Sequence, residues 1–269
     1  MTAEHAGAAR VGVRAWPREF RASSIEVGGH RLHAFHAGLP TAPPILLVHG
    51  LGVSARYFFP VAERLARDFA VHMPELPGHG RSSRPARALD VPALADVLEA
   101  WLEAAGVPDR LVIVANSMGC QVTAALCVLR PVRAGSLVLM GPTLDPANRE
   151  LGRLALRVAG TGLFERLSLP GLMLADYARM GVRRCVEEFR HMLADRIERR
   201  LPYLSMPTLV LRGSRDLVVP AEWAAHVTGL LPEGRLVTVP GWGHALHYSV
   251  PDEVAALVRA FIASLARSS

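Results

Sequence analysis

The sequence predicts an α/β fold, a mostly parallel central sheet with helices on both faces. Three observations carry that expectation. Short β-branched runs alternate with longer segments of helical period along the chain. Several of those runs are continuously apolar, the pattern of strands covered on both faces. At 269 residues, with 51% apolar and 20% charged residues, the composition is that of an ordinary globular chain. Such a chain buries about three quarters of the surface it exposes when unfolded.

Taken in order, residues 24–27 and 30–37 flank Gly28-Gly29 and predict an antiparallel hairpin. Residues 45–48, 69–72, 111–115, 137–140, 208–211 and 236–239 read as strands. Residues 56–67, 92–105, 118–129, 221–231 and 252–265 read as helices. The alternation implies right-handed crossovers. It stops once. From residue 142 to 206 there is only amphipathic helical pattern broken by Gly and Pro, too long an excursion for a simple loop. The expected organisation is a core of residues 1–141 and 207–269. Residues 142–206 then form a helical cap at the carboxyl edge of the sheet, where open α/β folds place ligands.

The formal net charge is +6, and all 30 basic residues are arginine. The charge is not gathered into a basic tail or an aromatic-interleaved patch, so nucleic-acid binding is not expected. Cys120, Cys127 and Cys185 form neither a disulfide framework nor a zinc motif, and Cys120 and Cys127, seven apart, read as buried core residues. The first 25 residues carry six charges and no apolar h-region, so no signal peptide is expected. The apolar runs are too short to span a bilayer. The expectation is a soluble, cytoplasmic protein with a small-molecule substrate and no membrane partner.

Residues 111–119, Leu-Val-Ile-Val-Ala-Asn-Ser-Met-Gly, are an apolar strand running through small-x-Ser-x-small into a helix. A nucleophile elbow needs that order. The chain turns so sharply at the serine that residues two before and two after it must be small, as Ala115 and Gly119 are. The helix from Met118 would aim its N-terminal dipole at Ser117. The plainer alternative is a helix-capping serine.

Three loops in chain order add to this. Residues 45–48 run into His49-Gly50-Leu51-Gly52. There the N–H of Leu51 and that of Met118 can converge on one oxyanion, each such donor being worth about 3–4 kcal/mol in a transition state. Glycines such as Gly50 let backbone approach a substrate closely. Asp216 follows the strand at 208–211 and can orient an imidazole, with Asp145 as the rival acid. His244 follows the last strand, next to Gly243, with His247 as its rival. Trp242 precedes His244 and could line the same pocket; the Met118 side chain is expected to face it. Leu172, Met173 and Leu174 read as core packing first.

At this point the chain resembles the α/β-hydrolase fold family, over about residues 25–266. Serine, acid and histidine come in the family's order. Residues 74–82, Pro-Glu-Leu-Pro-Gly-His-Gly-Arg-Ser, look like the family's turn after a core strand, with Glu75 near a customary Asp and a structural role. The resemblance implies Ser117 as nucleophile, His244 as general base and acid, Asp216 as orienting acid, and Leu51 and Met118 as oxyanion donors, with no metal or organic cofactor. It implies a serine hydrolase of small or medium carboxylic esters. Asn116-Ser117-Met118-Gly119 is also similar to the elbow of carbon–carbon bond hydrolases that cleave vinylogous diketone acids. Ala115, Cys120 and Ala245 depart from that branch. A non-enzymatic ligand receptor is the third possibility.

Residues 142–206 hold 11 arginines against 8 acids, half of the net charge. One of them reaching the cavity could clamp a substrate carboxylate, and Arg190, among apolar neighbours, is the foremost candidate. Arg183/Glu187, Arg184/Glu188 and Asp195/Arg199 are spaced for solvated i,i+4 pairs.

Overall fold

Gly28 and Gly29 both have positive φ, 55° and 75°, which a tight two-residue hairpin turn demands. They join β1 (Arg21–Val27) to β2 (His30–Ala37) as an antiparallel pair. The computed structural model describes residues 20–146 and 149–267. The leaderless reading of the N-terminus therefore falls largely outside the described residues.

β3 (Pro44–Val48), β4 (Ala70–Pro74), β5 (Leu111–Asn116), β6 (Ala134–Met140), β7 (Thr208–Gly213) and β8 (Gly234–Val239) complete an eight-stranded sheet. Its order is β1-β2-β4-β3-β5-β6-β7-β8. β2 meets β4 antiparallel, and every pairing from β4 through to β8 is parallel. The expected strands are all present, several of them longer than predicted.

Period-two alternation splits the core into two layers. Leu46, Ile113, Leu139 and Val210 face one side, with α2 (Val91–Ala104), α3 (Met118–Leu129) and α7 (Ala221–Leu230) against them. Leu47, Val114, Val138 and Leu211 face the other, covered by α1 (Phe59–Leu65) and α9 (Pro251–Ala266). The helix expected over 56–67 divides into a 3-10 turn, Ala55–Phe58, and α1. Pro60 lies in the first turn of α1, where its missing N–H costs nothing. A one-turn helix not expected from the sequence, α8 (Leu246–Ser249), follows the last strand's loop.

Between β6 and β7 run α4 (Leu151–Thr161), α5 (Leu169–Met180) and α6 (Val182–Ala194), with 3-10 turns. No strand lies there among the described residues. Buried Leu154, Met192, Ile197, Leu201 and Leu204 join the core layer of α2 and α3. Leu169 packs with Val53 and Tyr57 of the β3–α1 connection and with Ala245 of the loop after β8.

Two expected charge pairs differ. Arg183 and Glu187 do meet, at 3.0 Å on an exposed face. Arg184 and Glu188 are not solvated: the Glu188 side chain is buried and sits 3.1 Å from His79. Asp195 pairs with Arg200, at 2.6 Å, rather than with Arg199.

Candidate active site

Ser117 separates β5 from α3 without a single intervening residue, and its φ of 57° and ψ of −124° are far from either element. That is the left-handed region that ordinary residues avoid, held here by the strand before it and the helix after it. A Cβ at Gly119 would lie 2.4 Å from the Val48 carbonyl oxygen and 2.7 Å from that of His49. Only glycine permits that contact. Ala115 is fully buried in the core, so the methyl that departs from the usual motif has its own packing site.

His244 comes from the loop between β8 and α8. Its Nδ1 lies 2.8 Å from Asp216 Oδ2. The other oxygen of Asp216, Oδ1, accepts the backbone N–H groups of Val218 at 2.8 Å and Val219 at 3.0 Å. The carboxylate is thus fixed by its own loop and holds the imidazole with Nε2 as the open position. Nε2 is buried and has no hydrogen-bond partner among the described residues. Burial works against protonation of His244. The charge and hydrogen bond of Asp216, with the charge of Glu165, outweigh it and raise the pKa above the ordinary 6.5. The rival acid, Asp145, is not the carboxylate on this histidine. The rival base, His247, is fully buried between Tyr57 and Phe58, each 4.2 Å away by ring centroid, and burial drives its pKa well down.

Gly141 was not singled out by sequence. Its φ is 54°, and a Cβ there would lie 2.6 Å from His244 Cε1 and 2.7 Å from Nδ1. Asn116, just before the serine, donates from Nδ2 to the carbonyls of Met140 (3.1 Å) and His244 (3.2 Å). It ties three strand-end loops together.

The loop after β3 lies against the elbow: a Cβ at Gly50 would be 3.1 Å from that of Ser117. His49 is a brace for this loop. Its Nε2 accepts the Leu76 N–H at 3.0 Å, and Nδ1 meets the Gly50 carbonyl at 2.8 Å. Glu75 accepts the Arg81 N–H at 2.7 Å and the Ala55 N–H at 3.2 Å, which fixes two loops by hydrogen bonds. Met118 opens α3, so its N–H is one of those without an intrahelical acceptor.

Gly50, Leu51, Asn116, Ser117 and His244 share a cavity of about 50 Å³. Apolar side chains from the excursion close it: Leu154 and Val158 of α4, Met173 and Tyr177 of α5, Phe189 and Met192 of α6. Their i,i+4 and i,i+3 spacings are visible in the sequence, but nothing there marks that face as cavity wall rather than core.

Four expectations need correction. Arg190 is exposed and does not line the cavity, nor does any other arginine among the described residues. Trp242 is half-buried against the core layer of α1 and α9, and His244, two residues on, lines the cavity instead. The Met118 side chain is buried in the core layer of α2 and α3, leaving only its backbone near Ser117. Of the 172–174 triplet, Met173 reaches the cavity, while Leu174 is exposed.

No group of three or more His, Cys, Asp or Glu placed to hold a metal occurs among the described residues. No helix there is long and apolar enough to cross a membrane.

Comparison with known proteins identifies the family and the fold. A family model described as the alpha/beta hydrolase family matches residues 45–257. The pimeloyl-[acyl-carrier protein] methyl ester esterase of Stenotrophomonas maltophilia (strain K279a) is 27% identical over 248 residues, covering 83% of this chain and 94% of its own. A hydrolase from Pseudomonas aeruginosa PA01 superimposes with a TM-score of 0.76 at 23% identity, over 90% of this chain and 98% of its own. A membrane phospholipase A superimposes at 0.78 and 24% identity, over 91% and 86%. The chain is an enzyme that belongs to the alpha/beta hydrolase family.

Proposed function

We propose that the protein is a serine hydrolase of carboxylic esters, with Ser117 as nucleophile, His244 as general base and acid, and Asp216 as the orienting carboxylate. The observation that carries this reading is the disposition of His244. Nδ1 is held by Asp216, and Nε2 is open on a cavity that Ser117 also lines. His244 Nε2 takes the Ser117 proton as Oγ attacks the ester carbonyl carbon. The tetrahedral oxyanion collapses, and the alcohol leaves with the proton from His244. Water, deprotonated by His244, then cleaves the acyl-enzyme and restores the serine. In this reading the N–H groups of Leu51 and Met118 bind the oxyanion.

Residues 142–206 act as a cap that closes an apolar chamber over the serine. Its wall favours an uncharged acyl group of small or medium size, and the small volume favours a small alcohol. Relatives that act on a methyl ester support an ester as the bond cleaved. The absence of arginine from the described cavity wall removes the feature that would suit a diketone acid.

A panel of p-nitrophenyl esters of two to twelve carbons, with a vinylogous diketone acid beside it, tests the substrate class. Turnover is expected on short and medium esters only. Preferential cleavage of the diketone acid would overturn the ester reading.

A further inference from the structure

The last turn of α4 and the turn after it hold the backbone around the His244–Asp216 pair at three points. Thr161 Oγ1 accepts the N–H of Leu217, the residue after Asp216, at 3.2 Å. The Phe164 carbonyl accepts the N–H of Gly243, the residue before His244, at 3.1 Å. Glu165 Oε1 accepts the N–H of Ala245, the residue after His244, at 2.8 Å, and Oε2 accepts the Ser249 hydroxyl at 2.5 Å. The fit leaves no slack: a Cβ at Gly243 would lie 2.5 Å from Glu165 Oε1 and 2.8 Å from Thr161 Cγ2.

We propose that Glu165 is a positioning residue for His244. With Thr161 and Phe164 it forms a brace, supplied by residues 142–206, that fixes the histidine loop on both sides. This rests on the reading of His244 as the catalytic base. A hydrogen bond that only docked one segment on another would serve equally well at any surface. These three fall instead on the immediate neighbours of the two residues whose separation sets the imidazole's aim, and about 1 Å of misplacement there costs on the order of 10²-fold in rate.

Glu165 also brings charge to the histidine. The ionisable groups facing His244 are Asp216, Glu165 and His247, with Tyr57 beside the two carboxylates. Burial, with the charge of Asp216, raises the pKa of Glu165, and the bonds from Ser249 and Ala245 and the charge of His244 offset that only in part. Ionised Glu165 adds to Asp216 in favouring the imidazolium that forms during attack.

The test is an NMR titration of His244 together with steady-state kinetics on the best ester of the panel. Glu165→Gln keeps an acceptor for Ala245 and a group able to bond Ser249, but no charge. It is expected to move the His244 midpoint to lower pH and to lose less kcat than Glu165→Ala. Glu165→Ala is expected to lose about tenfold or more in kcat with KM little changed. An unmoved His244 midpoint in Glu165→Gln, or wild-type kcat in Glu165→Ala, overturns the brace. If Glu165→Ala does not fold, the Glu165→Gln titration still decides. The titration also reads the brace whether or not Ser117 is the nucleophile. Failure of the serine-hydrolase reading would instead show as ester turnover by Ser117→Ala.

Discussion

Asp216 Oδ2 lies 2.8 Å from His244 Nδ1, while Asp216 Oδ1 is held by the backbone of Val218 and Val219. One carboxylate is therefore anchored to its loop through one oxygen and aims a histidine with the other. Asp216→Asn is expected to cut kcat by about 10³–10⁴-fold, as loss of the orienting acid does in a triad, and Asp145→Asn to leave it near wild type. The sign of the pH effect follows from the raised pKa of His244. Attack needs neutral imidazole, so kcat/KM of the wild type falls as pH drops through a midpoint above 6.5, and Asp216→Asn moves that midpoint down. Loss of turnover in Asp145→Asn alone would reassign the acid.

Gly141 makes a sharper geometric demand. Its positive φ and the 2.6 Å approach to the His244 ring leave no room for a methyl. Gly141→Ala should displace the imidazole, lowering kcat at least tenfold and perturbing the His244 ring resonances. Unchanged kcat would show that the loop can move aside.

Phe189 closes one wall of a cavity of about 50 Å³. Phe189→Ala should enlarge it and shift the best acyl chain on the ester panel to a longer one. Chain preference identical to wild type would place the acyl group elsewhere.

Acid stability follows from His49. It is fully buried, and burial, with the charge of His79, pushes its pKa down to about 3 from 6.5. The unfolded chain takes up a proton below 6.5 that the folded one refuses. Stability contributed by neutral His49 is present above 6.5 and is lost as pH falls toward 3, at roughly 1.4 kcal/mol per pH unit. Urea midpoints at pH 7 and pH 5 should fall on acidification, and less steeply in His49→Gln. Equal slopes would exclude this histidine as a source.

The strands and the elbow were legible because their signals are local. Continuous apolar runs mark buried strands, and Ser117 stands between a β-branched run and a helix that starts at Met118, as expected. The cavity wall was not legible. Leu154, Val158, Phe189 and Met192 have the spacing of any buried helix face, and only tertiary placement turns that face over the serine. Arg190 misled for the same reason: apolar neighbours in sequence said nothing of which way its side of α6 faced. Gly141 and Glu165 carry no motif at all, since each acts on a residue some eighty or more positions away.

The proposed chemistry stands on Ser117 as the nucleophile. Labelling by a fluorophosphonate, read by intact mass, tests it directly. The wild type should gain one phosphonyl adduct on Ser117 and lose ester turnover, and Ser117→Ala, folded by circular dichroism, should gain none. Equal labelling of Ser117→Ala, or ester turnover by it at the wild-type rate, would contradict the assignment.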